Sequence, residues 1–159
     1  MKIVLLGASG LLGSTLLPAL KLAGYEVVTL GRSLANDHQC DIGNLKLLSA
    51  MFDELKPDIL VNLVALTNVD LCETDPKQAF LVNLSITENI VSWIESSERD
   101  CHLIHISTDQ VYDGCGPHKE QNVQLSNYYG FSKYAAELAA LRINSTILRT
   151  NFFGKSMCD

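Results

Sequence analysis

The sequence predicts an α/β fold with a parallel sheet at its centre. Short apolar runs of strand length, such as Lys2–Leu6 and Ile59–Val64, alternate along the chain with amphipathic segments of helical period. Alternation of this kind produces βαβ units with right-handed crossovers, so the strands lie parallel and helices cover the sheet. Such folds bind ligands at the carboxyl ends of their strands. The residues predicted at these ends are Gly7, Arg32, Ala65, Thr108 and Thr150.

Each predicted element rests on its own pattern. Lys2–Leu6 is a branched apolar run, typical of a strand that is buried on both faces. The helix Leu11–Leu22 has apolar residues at helical spacing and stops before Gly24, and its internal Pro18 is expected to kink it or to serve its packing. The remaining strands are Glu26–Leu30, a short candidate at His38–Cys40, Ile59–Val64, His102–Ser107 and Ser145–Arg149. The remaining helices are Asn44–Leu55, Pro76–Ser96 and Tyr128–Ile143.

A glycine-rich turn, Gly7-Ala-Ser-Gly-Leu-Leu-Gly13, joins the first strand to the first helix. Gly7 allows the tight turn, Gly10 lets the backbone approach a pyrophosphate, and Gly13 lets the helix pack close to the strand. The positive end of the helix dipole faces the phosphates. The spacing is GxxGxxG rather than the usual GxGxxG, and a turn that binds nothing is the alternative. Its position between strand and helix favours a dinucleotide site, and therefore a doubly wound sheet of the Rossmann type.

The residues after the second strand bear on which nicotinamide cofactor binds. A site for NAD(H) usually carries Asp or Glu there for the ribose 2′-hydroxyl. This chain has Gly31-Arg32-Ser33, in which Arg32 can meet a 2′-phosphate and Ser33 can donate to it. NADP(H) is therefore the preferred cofactor and NAD(H) the alternative. A solvated surface role for Arg32, or a ribose contact from Asp37, would remove this preference.

Length and composition limit the range of functions. With 159 residues, 47% of them hydrophobic and 19% charged, the chain fits one globular domain. The net charge of −6 argues against a nucleic-acid partner, which needs a basic surface. No apolar stretch reaches membrane-spanning length, and the N-terminus enters a strand with no evident signal peptide. The five cysteines, an odd number without a CxxC pair, indicate reduced, mostly buried thiols in a cytoplasmic protein and no metal site.

Tyr129 and Lys133 are the strongest catalytic candidates. Residues four apart share one face of a helix, so both side chains can reach one cleft. A phenol has an ordinary pKa of about 10, and a neighbouring ammonium would lower that pKa toward neutral pH, which suits proton transfer to a carbonyl oxygen. Lys133 could also donate to the nicotinamide ribose, and Thr108 is placed to hydrogen-bond the substrate oxygen. Tyr128 is turned off this face, and an ordinary surface pair is the alternative for Tyr129 and Lys133.

Segments along nearly the whole chain resemble the extended short-chain dehydrogenase/reductases, most closely the dTDP-4-dehydrorhamnose reductase type. They also occur in the order that this family shows, which makes the superfamily assignment specific and leaves the sugar open. The resembling segments are Gly7–Gly13, Cys40–Ile42, Pro57–Glu73, Ala79–Asn83, His105–Gly114, Tyr129–Lys133 and Leu148–Thr150.

The resemblance implies a reductase in which NADPH delivers hydride to the 4-keto carbon of a nucleotide-linked deoxysugar. It implies a catalytic triad of Thr108, Tyr129 and Lys133, in which Tyr129 protonates the oxygen, and adenine contacts from Asp41 and Ile42. The predicted cofactor-binding set as a whole is Gly7, Ser9, Gly10, Leu11, Leu12, Gly13, Arg32, Ser33, Asp41, Ile42, Ala65, Leu66, Thr67, Asn83, Ser107, Tyr129 and Lys133.

The chain departs from the family pattern in two respects. Gln110 stands where the family usually has an aromatic residue, and Leu66 replaces a second aromatic near the cleft, so the substrate stays open. The chain also stops at Asp159, before the elements that complete the nucleotide-sugar lobe. The resemblance therefore implies a single domain over residues 1–159 that is the cofactor part of a longer protein, with the C-terminal substrate lobe largely missing. Phe152 and Phe153 would be natural contacts for that lobe.

Several alternatives to the reductase stay open. An epimerase or dehydratase of the same superfamily needs tightly held NAD, which Arg32 disfavours. A non-catalytic, NADP-binding regulatory subunit, as in methionine adenosyltransferase, would keep the fold and the groove but would place no demand on the catalytic set. The chain could also be a folded, inactive domain of an active parent. By analogy within the superfamily, the helices Pro76–Ser96 and Tyr128–Ile143 would form a homodimer interface.

Overall fold

A six-stranded sheet forms the centre of the computed structural model, which describes residues 1–97 and 99–152. The strands are β1 Lys2–Leu6, β2 Glu26–Gly31, β3 His38–Gln39, β4 Ile59–Asn62, β5 His102–Thr108 and β6 Ser145–Thr150. The helices are α1 Leu11–Leu22, α2 Leu45–Leu55, α3 Val69–Thr74, α4 Pro76–Phe80, α5 Ile86–Ser96 and α6 Tyr128–Ala140. A π-helical segment, Leu81–Ser85, joins α4 to α5, and the 3₁₀ turn Asp109–Val111 follows β5.

The order of the strands creates a crevice beside β1. The sheet runs β3-β2-β1-β4-β5-β6 with every neighbouring pair parallel. Leu5 of β1 lies between Thr29 of β2 and Val61 of β4. The connections that leave β1 and β4 therefore diverge, and a crevice opens at the carboxyl ends of these two strands. The predicted doubly wound sheet of the Rossmann type is confirmed.

Two apolar clusters hold helices against the two faces of the sheet. On one face α2, α5 and α6 enclose the larger cluster, in which the rings of Phe52 and Trp93 lie 4.9 Å apart. The indole N–H of Trp93 donates to Asp53 at 2.8 Å, so this buried aromatic leaves no donor unpaired. On the other face α1 packs Leu16 and Leu20 onto the sheet. The packing from both sides fixes the strand ends around the crevice.

Two elements end at least two residues earlier than their patterns predict, and β3 ends one residue early, at Gln39. β4 ends at Asn62 rather than Val64, because the Asn62 side chain accepts a hydrogen bond from the Val64 N–H at 3.1 Å and turns the backbone away from the ladder. α6 ends at Ala140 rather than Ile143, because the N–H groups of Arg142 and Ile143 bond back only three residues, to the carbonyls of Ala139 and Ala140. These are local hydrogen bonds that hydrophobic periodicity does not report.

The prediction of one α-helix over Pro76–Ser96 is wrong at its centre. The π-helical segment Leu81–Ser85 interrupts it, with Asn83 buried there. The Asn83 side chain accepts from the Leu66 N–H at 2.7 Å and donates to the Leu66 carbonyl at 3.1 Å. This long-range pair offsets the poorer geometry of a π turn. The short helix α3, capped by Asn68, has six residues and was too short to predict from periodicity.

The remaining side-chain predictions concern cysteines, the proline of α1 and an aromatic contact. Cys40, Cys72 and Cys101 are buried and unpaired, as predicted, whereas Cys115 is exposed. Pro18 lies inside α1 on its exposed side, so it does not serve the packing. Cys158 and Phe153 lie outside the described residues.

Within residues 1–97 and 99–152, none of the helices combines the length and the apolar character that crossing a bilayer requires.

Candidate active site

A cavity of about 440 Å³ occupies the crevice at the carboxyl ends of β1, β4 and β5. Its wall combines the glycine turn after β1 with the residues that follow β5 and with the first turns of α6. The residues of the predicted site that line it are Gly7, Gly10, Leu11, Leu12, Gly13, Ala65, Thr67, Ser107, Thr108, Tyr129 and Lys133. The structure therefore brings the two strongest motifs of the sequence to one cavity.

The glycine turn is shaped for close approach. Gly7 has φ of +84°, and a Cβ on Gly13 would lie 2.4 Å from the Gly7 carbonyl oxygen, so no side chain fits there. Gly10 is the N-cap of α1 and has no side chain to accept from the first N–H groups of the helix. The amino end of α1 therefore presents backbone donors at the cavity wall, where the helix dipole favours an anion.

Lys133 is buried beneath the cavity, with 2% of its surface exposed. Its ammonium donates to the Ile106 carbonyl of β5 at 2.6 Å. Burial lowers the pKa of Lys133 to about 8, and the carboxylate of Glu137, one turn further along α6, opposes this decrease. The amine is thus held in one place and titrates close to neutral pH.

Tyr129 is also buried, whereas Tyr128 is 46% exposed and is not on the cavity wall. Burial raises the pKa of Tyr129, and the hydrogen bond between its hydroxyl and Thr108 opposes the increase. The expectation that Lys133 lowers the pKa of Tyr129 is therefore wrong for this structure. The phenol loses water while the Lys133 ammonium is engaged by the Ile106 carbonyl. Tyr129 is protonated at neutral pH, the form that can donate to a carbonyl oxygen.

Seven residues of the predicted cofactor set, Leu66 among them, do not line this cavity. Asn83 is buried behind Leu66, bonds both backbone groups of Leu66 and donates to Ser132 at 2.8 Å, so it supports the wall from behind. Ile42 belongs to the apolar core. The others are Arg32 and Asp41, which line a second cavity of about 420 Å³ beside α2, and the exposed Ser9 and Ser33.

The residues of the cavity wall that were not predicted as site residues include two pairs, Asp109 with Gln110 and Asn151 with Phe152. Asn151 donates to the Asp109 carboxylate at 2.9 Å and so joins the ends of β5 and β6. Both pairs directly follow strands, which is the position from which parallel sheets present ligand contacts. That rule could have found them from the sequence.

A buried ion pair also went unpredicted. Glu137 accepts hydrogen bonds from the Ser107 hydroxyl and from Arg149, whose Nη2 lies 2.6 Å from the carboxylate. Arg149 Nη1 donates to the Tyr112 hydroxyl and to the Glu120 carbonyl, each at 2.6 Å. This network joins α6, β5, β6 and the loop before α6. The four-residue spacing from Lys133 places Glu137 on the same face of α6, but it carries no signal for Arg149.

The sheet order, the glycine turn and a Tyr–Lys pair on the wall of the same cavity define the class of the short-chain dehydrogenase/reductases. The chain belongs to the family described as the RmlD substrate binding domain, whose model matches residues 1–156. The predicted resemblance to reductases of the dTDP-4-dehydrorhamnose type is confirmed at the level of the family.

Similar proteins include a polysaccharide biosynthesis protein, a reductase and a subunit of methionine adenosyltransferase. The chain is 35% identical over 156 residues to the spore coat polysaccharide biosynthesis protein SpsK of Bacillus subtilis, covering 95% of this chain and 53% of that protein. It is 32% identical over 161 residues to a dTDP-4-dehydrorhamnose reductase of Aggregatibacter actinomycetemcomitans, covering 97% and 52%. It is 30% identical over 142 residues to the methionine adenosyltransferase 2 subunit beta of Xenopus tropicalis, covering 87% and 42%. The chain thus spans about half the length of the curated relatives it matches.

A solved structure supports the same relationship. The dTDP-4-dehydrorhamnose reductase of Bacillus anthracis, in complex with NADP, superposes with a TM-score of 0.81 at 28% identity. The match covers 93% of this chain and 52% of that one.

Proposed function

We propose that this chain is the NADP(H)-binding and catalytic part of a reductase that acts on a 4-keto nucleotide sugar. The observation that carries the proposal is that Thr108, Tyr129 and Lys133 line the same cavity as the glycine turn. The names of the reductase relatives and the NADP complex of a similar structure support it. The relatives' names also favour a place in deoxysugar or surface polysaccharide biosynthesis.

The cavity fits a dinucleotide. Gly13 leaves no room for a Cβ beside the turn, and the uncapped amino end of α1 offers donors to a pyrophosphate. Lys133 would hold the nicotinamide ribose, which lies nearest the reacting atoms. NADPH bound there would supply the hydride.

The side chains of this chain would supply the proton and stabilise the developing charge. Tyr129, kept protonated by burial, would donate its proton to the carbonyl oxygen as negative charge develops there. Thr108 would donate a second hydrogen bond to the same oxygen and stabilise it from a fixed position at the end of β5. The ammonium of Lys133 would stabilise the phenolate that remains.

The affinity for NADPH should fall as the pH rises through about 8, and the Lys133→Met variant should lose this dependence. The reason is that only the ammonium form can donate to the ribose. The Lys133 amine binds its proton more tightly in the unfolded chain than in the folded chain. The buried ammonium therefore lowers the free energy of unfolding below pH 8, and this penalty declines as the pH rises further. The variant should therefore stay folded at pH 7. Calorimetric titration between pH 6.5 and 9.5 measures the effect, and an equally steep decline in the variant would contradict it.

Arg32 is proposed to select NADP(H) through the 2′-phosphate. The Arg32→Asp variant should bind NADPH about 10- to 100-fold more weakly, because a hydrogen bond between charged groups contributes about 1.5–3 kcal/mol. Its affinity for NADH should change little. Arg99→Asp is the control for Arg32→Asp, because it makes the same charge change at an exposed position away from both cavities. An unchanged NADPH affinity in Arg32→Asp would assign Arg32 to the solvated surface.

The substrate lobe is proposed to come from further sequence, because the chain spans about half of its reductase relatives. A homodimer is proposed through α6 and the π-helical segment, where Leu81, Phe131, Leu138 and Leu141 are exposed. Such a patch is typical of an interface. Sedimentation showing a monomer at high concentration would exclude this interface for the chain alone.

A regulatory subunit is the second candidate, favoured by the similarity to the methionine adenosyltransferase subunit. Such a role would need the cofactor groove but not Tyr129. An epimerase or dehydratase would instead hold NAD. Calorimetric titration with NADPH and NADH tests the cofactor site of this chain. Reduction of a 4-keto nucleotide sugar by the full-length protein, with loss of NADPH absorbance, distinguishes the enzyme from the regulatory subunit.

A further inference from the structure

We propose that Gln110 is a specificity-determining residue whose side-chain amide donates a hydrogen bond to a sugar hydroxyl on the carbon beside the reacting carbonyl. This inference rests on the proposed reductase function and refines its substrate class. Gln110 lies in the 3₁₀ turn after β5 and lines the cavity together with Thr108 and Tyr129.

The backbone of Gln110 is fixed from two sides. Its N–H donates to the Thr108 hydroxyl oxygen at 3.1 Å. Its carbonyl oxygen packs so closely against α6 that a Cβ on Gly130 would lie 2.5 Å from it. The next residue, Val111, accepts from the Gln124 N–H at 3.0 Å. The turn therefore holds Gln110 in a defined position relative to Tyr129 on α6.

The orientation of the Gln110 amide follows from its neighbour Asn127. Asn127 is the N-cap of α6, and its side-chain oxygen accepts from the Gly130 N–H at 2.7 Å. The nitrogen of the same amide can then only donate, and it lies 3.2 Å from Gln110 Oε1. The Nε2 group of Gln110 consequently points away from Asn127. It makes no hydrogen bond within the described part of the chain, so both of its N–H groups are available to a ligand.

The surroundings of this amide suit a hydroxyl. The Thr108 hydroxyl accepts from the Gln110 backbone and donates over 3.4 Å to the Asp109 carboxylate, so it is held beside Gln110 on the cavity wall. Asp109, also on the cavity wall, offers carboxylate oxygens as acceptors. A substrate hydroxyl can accept from Gln110 and donate to a carboxylate. A substrate methylene at the same place would leave the Gln110 amide unpaired, which would lower the affinity. An aromatic residue at position 110 would present an apolar face instead.

The test compares two 4-keto nucleotide sugars that differ only in the hydroxyl beside the carbonyl, with the full-length protein. The wild type should prefer the hydroxylated sugar in kcat/KM by about fivefold to tenfold, the effect of one hydrogen bond. Gln110→Leu should lose this preference through a lower kcat/KM for the hydroxylated sugar alone. Gln110→Met, which keeps an unbranched side chain, repeats the test if the leucine variant does not fold. Gln121→Leu makes the same change at an exposed loop position and should behave as wild type.

Three further outcomes would overturn the inference. An equal loss on both sugars would mean that Gln110 supports the fold of the site rather than the hydroxyl. No change in either variant would mean that the amide does not contact the substrate. If the wild type reduces neither sugar while the chain still binds NADPH, the proposed function itself fails, and the inference about Gln110 fails with it.

Discussion

Replacing Tyr129 by phenylalanine should lower kcat for carbonyl reduction about 10²- to 10⁴-fold, the usual contribution of a positioned general acid. The substitution removes one oxygen atom from a buried ring and leaves the packing in place. NADPH affinity should stay within about twofold, since the glycine turn and Lys133 hold the cofactor in the proposed complex. Single-turnover reduction of a 4-keto nucleotide sugar by the full-length protein measures the first effect, and calorimetric titration measures the second.

Tyr128→Phe is the matched control, because it makes the same change one residue away. Tyr128 is 46% exposed and lies off the cavity wall, so the control should keep the wild-type rate. A Tyr129→Phe variant with more than a tenth of the wild-type rate would exclude Tyr129 as the proton donor. Equal losses in the two variants would point to the amino end of α6 as a whole rather than to the phenol.

Replacing Glu137 by leucine should lower the free energy of unfolding by about 3–5 kcal/mol, the usual cost of removing one partner from a buried ion pair. Arg149 would then lie largely buried without its carboxylate, since only 18% of its side chain is exposed. Ser107 on the cavity wall would also lose its acceptor. Urea denaturation of the chain at pH 7 measures the change directly.

The exposed ion pairs of Arg142 provide the control for Glu137. Glu95 pairs with Arg142 at 3.1 Å, but both side chains are more than two-fifths exposed. Glu95→Leu should therefore cost less than about 1 kcal/mol. The double variant Glu137→Leu with Arg149→Leu should regain part of the loss, because it removes the unpaired charge as well. A loss in Glu137→Leu no larger than that in Glu95→Leu would show that the buried pair adds nothing.

The architecture could be predicted from local sequence patterns because each pattern reflects a physical requirement that acts between residues close together in the chain. Strands buried on both faces must be continuously apolar, as residues 3–6 of β1 are, and helices must show an apolar stripe, as α2 does. Parallel strands joined by helices permit few topologies. Gly13 could be predicted for the same reason, since the close contact with Gly7 excludes any side chain.

The pairing of Tyr129 with Lys133 was equally local, because a helix fixes the direction of residues four apart. The same rule extends to Glu137, yet its partner Arg149 belongs to another element and could not be identified from spacing. The π-helical segment was hidden for a similar reason. Its extra residue is offset by the bonds from Asn83 to Leu66, which lie 17 residues apart in the chain.

The sequence by itself determined the class of fold and the candidate site residues that the structure brings to one cavity, the glycine turn with Tyr129 and Lys133. Only the tertiary structure decided the protonation of Tyr129, the pKa of Lys133 and the orientation of the Gln110 amide. The division has one physical cause. Hydrophobic period and backbone sterics act between near neighbours, whereas desolvation and hydrogen-bond direction depend on what the fold brings around a group from distant parts of the chain.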